Sequence, residues 1–206
     1  MIKPFEDYHG AIRVYKKVFL NYQNIIDTFN KSAETSQTWK WKNSHGAMYN
    51  EETQRTSSEI ALPTYGVDYS KLNPNRDEIR MIVLTSNMQE RIMQHVAHYA
   101  NHFGLHIKSN EKTRLIKYNE GEFFKSHRDD HPLTPRTLST VVYINDDYEG
   151  GELHFKYFNF TYKPEFGDLI VFPSNYAYHH ESMPIKNKTK YILTDFWIEG
   201  VESVKK

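Results

Sequence analysis

The 206-residue sequence predicts a mainly β fold of the α+β class, with helices in the first half and an antiparallel sandwich or jelly roll in the second. Three observations lead there. After Asn110, short apolar runs alternate with turn residues at close intervals. Before it, apolar residues recur at every third or fourth position in two long stretches. No internal repeat or low-complexity tract points to a solenoid or a linker. With 38% hydrophobic and 15% aromatic residues, the chain can bury one substantial core. One domain over residues 1–206 is expected, with 1–110 as helical support and covering loops and 111–200 as the jelly roll.

Taken in order, the first element is a helix from about Ala11 to Phe29, where Ile12, Tyr15, Val18, Phe19, Tyr22, Ile25, Ile26 and Phe29 form one apolar stripe. From Lys31 to Arg80 the chain turns polar, with Trp39, Trp41, Pro63, Tyr65, Gly66 and Pro74 scattered through it, and reads as mostly irregular. A second helix is expected from Ser86 to Phe103, closed by Gly104, with Met88, Ile92, Met93, Val96, Tyr99 and Phe103 on its buried face. His95, His98, His102 and His106 follow at helical spacing. They read as a solvated face rather than a metal stripe, because no carboxylate accompanies them.

Eight strands are then expected: Thr113 to Tyr118, Phe123 to His127, Leu138 to Asn145, Glu152 to Phe155, Phe158 to Tyr162, Asp168 to Phe172, Tyr178 to Met183 and Lys190 to Trp197. Gly150-Gly151, set among acidic residues, is a turn between strands and not a phosphate loop.

Composition narrows the chemistry. Lys plus Arg and Asp plus Glu balance at 26 each, so no overall field favours a nucleic acid or an anionic membrane as partner. There is no cysteine, which leaves nitrogen and oxygen as the only ligands for a metal. Neither a signal-like apolar stretch nor a membrane-spanning one occurs, so a cytoplasmic location is expected.

Within that chemistry one constellation stands out: His127 and Asp129, then His180 about fifty residues on, then Lys190. Residues i and i+2 of a strand face the same side, so His127 and Asp129 can reach one ion while His180 comes from a distant strand. Two histidines and a carboxylate form the facial triad of non-haem Fe(II) sites, which leaves neighbouring coordination positions open. Asp130 adjoins Asp129 and His179 adjoins His180, so strand phase decides which of each pair points inward. His131 extends the pattern, but Pro132 after it suggests that the strand has ended.

The wider succession is His127-x-Asp129, Arg136, Tyr143, Asn145, Glu149-Gly150-Gly151-Glu152, Pro164-x-x-Gly167-Asp168, Val171-Phe172-Pro173, His180-x-x-x-Pro184-Ile185 and Lys190-Tyr191. Over about Arg114 to Trp197 it resembles the catalytic domain of the prolyl 4-hydroxylase family of Fe(II)/2-oxoglutarate-dependent oxygenases. Arg55-Thr56-Ser57 also looks like a short motif of that family's N-terminal region. The resemblance implies a double-stranded β-helix with N-terminal helices packed on its major sheet.

It further implies Fe(II) held by His127, Asp129 and His180, the spacing from His180 to Pro184 and Lys190 matching the family. 2-Oxoglutarate is then anchored by Lys190 and Tyr143; Tyr118, by its position before His127, either lines that pocket or is an ordinary packed tyrosine, and Thr194, on the same strand face as Lys190, is placed to add a hydroxyl. Arg136 falls either at a substrate-contacting position of the mouth or on a plain strand edge. The expected activity is that of a procollagen-proline 4-dioxygenase-like enzyme, hydroxylating proline in a peptide or protein. It would use dioxygen, release succinate and CO2, and take ascorbate as an accessory reductant.

A hydroxylase of a free amino acid or other small molecule is the nearest alternative, ahead of a nucleic-acid demethylase or a non-catalytic jelly-roll binding protein. Two departures from the family pattern are visible. Lys188 stands where a glycine is usual, and Leu153 where a threonine is common.

Overall fold

The computed structural model describes residues 1–19, 23–44, 55–130, 132–133 and 135–200. His131 and part of the polar 31–80 segment therefore lie outside the described residues. Strands β1 (Phe5–Tyr8) and β2 (Ile12–Tyr15) form an N-terminal hairpin, followed by helix α1 (Gln23–Thr35). Next come β3 (Lys42–Ser44), β4 (Ser57–Ala61), the long helix α2 (Arg76–Phe103), β5 (Ile107–Asn110), β6 (Arg114–Tyr118) and β7 (Phe124–His127). The rest is β8 (Leu138–Tyr143), β9 (Glu149–Gly150), β10 (Leu153–Phe155), β11 (Phe160–Tyr162), β12 (Leu169–Pro173), β13 (His180–Ser182), β14 (Ile185–Asn187) and β15 (Lys190–Glu199).

The strands assemble into a large antiparallel sheet ordered β1-β2-β12-β8-β15-β6-β4-β3, with β5 also on β15, and a small sheet ordered β11-β10-β13-β7. A two-stranded ribbon of β9 and β14 closes one end. The large sheet is covered on both faces. On one, Leu115, Val142, Val171 and Leu193 share a buried cluster with Ile25 and Phe29 of α1 and Met88, Ile92 and Tyr99 of α2. On the other, Ile116, Tyr118, Val141, Tyr143, Phe172 and Ile192 meet Leu153, Phe155 and Tyr162 of the small sheet. Double coverage explains why all six residues of β8 are buried and why its sequence, LSTVVY, lacks a polar face.

All eight strands expected after residue 110 are present: six are shortened at their ends, β12 is shifted by one residue to Leu169–Pro173, and β15 runs on two residues to Glu199. The first half departs from expectation. Residues 12–15 are a strand, because Ile12 and Val14 enter the core between the sheets while Tyr15 enters the helix-side core. A four-residue run buried on both faces carries no alternation, and its apolar spacing mimics a helix. The helix begins only at Gln23 and runs to Thr35. The 31–80 segment is also less irregular than expected, since β3 and β4 extend the large sheet beside β6.

Helix α2 starts ten residues before Ser86. Asn75 accepts from the Asp77 and Glu78 amides while Glu78 reaches back to the Asn75 amide, a full capping box. Gly104 ends the helix in the left-handed region, as expected. The histidines of α2 are only partly a solvated face: His102 is exposed, but His95 is buried, with its ring against Tyr15, and His98 bonds the Tyr15 hydroxyl at 2.8 Å. A buried polar relay fastens α2 to the sheet, in which Gln89 donates to Thr113 Oγ1 at 2.7 Å and Thr113 donates to Asp195 at 2.5 Å.

Lys188, just before β15, holds φ at 55°. The turn thus keeps the left-handed geometry for which a glycine is suited, with the lysine bearing the steric cost of its Cβ. Its ammonium reaches Asp147 at 3.2 Å from an exposed position, which compensates little. Lys188→Gly is expected to stabilise the fold by about 0.5–1 kcal/mol in urea unfolding. A loss of stability would show that the Asp147 contact outweighs the strain.

Candidate active site

Pairing of β7 with β13 places His180 directly opposite His127, so two residues distant in the chain become cross-strand neighbours. Asp129 follows β7 and lies between them, with carboxylate oxygens 3.4 Å from His127 Nε2 and 3.5 Å from His180 Nε2. One ligand atom from each of the three falls within 4.8 Å of the others. Among the described residues no other such group of histidine and carboxylate side chains occurs.

The tautomers suit a cation. His127 Nδ1 bonds the Lys125 carbonyl at 2.8 Å and His180 Nδ1 bonds the Tyr178 carbonyl at 3.0 Å. A carbonyl can only accept, so each Nδ1 carries a proton, which leaves the two Nε2 atoms, both facing Asp129, as the ring atoms available to a metal. Burial among Phe155, Phe172 and neighbouring groups pushes the His180 imidazole down to about 4, which keeps it neutral. Phe124 stacks flat on the His127 ring, at 3.6 Å between centroids.

Burial alone would raise the Asp129 pKa. The facing His180 and His127 and the Ser139 hydroxyl outweigh it and hold the carboxyl well below its usual range. Ser139 donates to Asp129 Oδ2 at 2.6 Å and contacts Ser174 Oγ at 2.8 Å, while the Ser174 carbonyl accepts from the Asp129 and Asp130 amides. Asp129 and His180 are therefore the members of their pairs that point inward. Asp130 pairs with Arg128 instead, and His179 packs against Tyr157.

The cavity beyond this cluster is organised by the ladder of the large sheet. Register pairs Lys190 with Tyr118, Ile192 with Ile116 and Tyr143, and Thr194 with Arg114 and Val141. All of these line the cavity, together with His127, Asp129 and His180. Lys190 is wholly buried. Its ammonium donates to the Gly151 carbonyl at 2.6 Å and Ser182 Oγ at 2.8 Å and lies over the rings of Tyr118 and Tyr143 at 5.4 and 5.3 Å. Gly151 permits this approach, since a Cβ there would sit 2.4 Å from Ile185 and 3.1 Å from the lysine stem.

Tyr143 Oη is buried without a hydrogen-bond partner among the described residues, and burial raises its pKa well above normal. A buried ammonium and an unsatisfied phenol facing one cavity are a donor pair suited to a carboxylate. Tyr118 lines the same end, its phenol pushed up to about 12 by burial.

Residues 113–199 match the family model of the 2OG-Fe(II) oxygenase superfamily. That stretch is similar to a 2OG-Fe(II) oxygenase domain. It contains β6 to β15 and every residue of the triad, and its family works with Fe(II), 2-oxoglutarate and dioxygen. No curated protein sequence matches the chain.

Solved structures share the fold of this chain well beyond that stretch. A prolyl hydroxylase from Trichoplax adhaerens, in complex with a hypoxia inducible factor oxygen degradation domain peptide fragment, aligns over 92% of this chain and 84% of its own. The TM-score is 0.71 at 15% identity. A Pseudomonas putida prolyl-4-hydroxylase aligns over 93% and 94%, with TM-score 0.65 and 16% identity. The viral collagen prolyl hydroxylase of Paramecium Bursaria Chlorella virus-1, as a 2OG complex, aligns over 94% and 98%, with TM-score 0.60 and 18% identity. At such identities the likeness is one of fold.

Arg136 stands apart from the cavity lining. Both edges of its guanidinium are taken, by Glu111 at 2.6 and 2.9 Å and by the Asp129 carbonyl at 2.9 Å, and it lies 3.7 Å over the Phe196 ring. In this position it braces the Asp129 turn from behind. Sequence reading did not single out Ser139, Ser174, Ser182, Phe124 or Arg114. Arg55, noted only as a motif fragment, lines the cavity, donating to Ser57 and pairing with Glu59 at 3.0 Å.

Burial lowers the Lys190 pKa to about 7, against an ordinary value near 10.5. A folded-state value below the unfolded one means the charged lysine costs stability. That cost is complete below pH 7 and fades as pH rises toward the unfolded value. In protein free of metal and keto acid, Lys190→Met is therefore expected to raise stability at pH 6 by about 1–4 kcal/mol. The advantage should shrink between pH 7 and 10 in denaturant titrations. An advantage independent of pH would show that the lysine is not the titrating group.

Proposed function

We propose that residues 111–200 are the catalytic double-stranded β-helix and residues 1–110 its support and substrate cover. The enzyme hydroxylates an amino-acid residue, in the first instance proline within a peptide or protein. The observation that carries this reading is the convergence, in one cavity, of a two-histidine, one-carboxylate cluster with a buried ammonium and an unsatisfied tyrosine. The proline specificity rests on the prolyl hydroxylases whose fold the chain shares.

In this reading His127 Nε2, an Asp129 oxygen and His180 Nε2 hold Fe(II), which with 2-oxoglutarate and dioxygen supplies the oxidising chemistry. The chain's own residues perform the rest. Lys190 and Tyr143 receive the distal carboxylate of 2-oxoglutarate, the ammonium offsetting its desolvation and the phenol gaining the acceptor it lacks. Thr194, two residues beyond Ile192 on the same strand face, offers a hydroxyl to the keto acid, and Tyr118 walls the pocket.

The Lys125 and Tyr178 carbonyls fix both imidazoles, and Ser139 fixes the carboxylate, so the ligands are oriented before the metal arrives. Ile116, Val141, Leu153 and Ile192 keep water from the reacting centre.

The test is turnover. Purified protein with Fe(II), 2-oxoglutarate and air is expected to convert proline-containing peptides to products one oxygen atom heavier, with succinate formed in step. His180→Ala should form neither. Oxygenation of free proline but of no peptide would move the assignment to a small-molecule hydroxylase, and absence of succinate under all conditions would contradict the enzyme assignment.

A further inference from the structure

The far end of the cavity carries a positive charge that the iron and keto-acid chemistry leaves unused. Along β15, Thr194 lies four residues beyond Lys190, roughly 13 Å at strand rise. Its cross-strand partner is Arg114. Arg114 lines the cavity, and its side chain is 32% exposed, so the guanidinium sits at the mouth and remains accessible.

Around it, among the described residues, Arg55, Arg114 and Arg136 form ion pairs with two carboxylates, Glu59 and Glu111. Arg55 is engaged by Glu59 and Ser57, and Arg136 takes both oxygens of Glu111. Arg114 is left with a 3.8 Å approach to Glu111 and a distant ring contact with Phe196 at 6.0 Å; among the described residues its guanidinium makes no hydrogen bond. Held by β6 beside an apolar wall, a planar fork whose donors make no hydrogen bond among the described residues is built to take a carboxylate in bidentate fashion.

We propose that Arg114 is a specificity-determining residue that receives a carboxylate of the substrate, carried close to the carbon to be oxidised. The proposal rests on the reading of the cavity as an oxygenase site and adds the chemical class of its substrate. The carboxylate can be an acidic side chain beside the target proline or the α-carboxylate of a free or C-terminal amino acid. The two sources share one recognition chemistry and are separated by the choice of probe.

The experiment compares matched carboxylate and amide probes by calorimetry, with and without Fe(II) and 2-oxoglutarate under anaerobic conditions. The first pair is acetyl-Ala-Pro-Glu-amide and acetyl-Ala-Pro-Gln-amide; the second is L-proline and L-prolinamide. The carboxylate member of one pair is expected to bind wild-type protein about tenfold or more tightly than its amide twin, as a charge-assisted pair requires. Arg114→Gln should abolish that preference and Arg114→Lys retain part of it. Which pair discriminates identifies the source.

The visible band of the Fe(II)-keto acid complex, recorded on the same samples, reports separately on the oxygenase reading. An Arg114-dependent preference without the band would uphold the arginine's role while overturning that reading. A formed band with no carboxylate preference in wild-type protein, or with a preference that survives in Arg114→Gln, would overturn the proposal for Arg114 alone.

Discussion

The pairing of β7 with β13 is the constraint on which the site depends. It sets His127 opposite His180 and so gathers, from segments about fifty residues apart, the two imidazoles that one strand cannot supply. Two short strands, of which β7 is the edge of a four-stranded sheet, would hold that register weakly on their own. They are stiffened by aromatic packing on both rings, Phe124 on His127 and Phe172 and Phe155 on His180. The same packing desolvates the site, which keeps His180 neutral and makes each hydrogen bond around Asp129 count for more. Rigidity and electrostatics at the metal cluster thus share one physical cause.

The opposite end of the cavity shows a trade between stability and function. Lys190 has no carboxylate within ion-pair reach in the described structure, and its bonds to Gly151 and Ser182 are to neutral oxygens. A fold selected for stability alone would place an apolar side chain there. The large sheet tolerates the lysine because both of its faces are covered, by the small sheet and by the cluster containing α1 and α2, so the rest of the core compensates locally weak packing. The helices bear on function through this support, and the Gln89–Thr113–Asp195 relay ties α2 to the very strand that carries Lys190 and Thr194.

Much of the site was legible in the sequence because its signals are local. His127-x-Asp129 follows strand alternation, and the turn before Lys190 marks the start of a strand of clear character, whereas Gly150, expected in a turn, ends the short strand β9. The supporting residues were not legible. Ser139 and Ser174 matter only because β8 and β12 lie side by side, a pairing between residues 35 apart that no local pattern encodes. For Arg136 the sequence left a mouth position and a plain strand edge equally open, because its partner Glu111 lies 25 positions earlier.

The N-terminal misreading has a similar origin. Ile12 to Tyr15 is buried on both faces, so spacing alone could not distinguish strand from helix, although Gly10 ahead of it is a turn signal. For α2, Asn75-x-x-Glu78 after Pro74 was an available start signal, and apolar periodicity drew attention to the later turns instead.

The central claim is that the triad and Lys190 serve one bound pair, Fe(II) and 2-oxoglutarate, in one cavity. The most direct measurement is an anaerobic titration of metal-free protein with both, following the visible charge-transfer band of the chelated keto acid, in wild type, His180→Ala and Lys190→Met. The account predicts a band in wild type, no band in His180→Ala, and in Lys190→Met a band that appears only at much higher 2-oxoglutarate. Folded wild-type protein that gives no band, or a Lys190→Met titration indistinguishable from wild type, would contradict it.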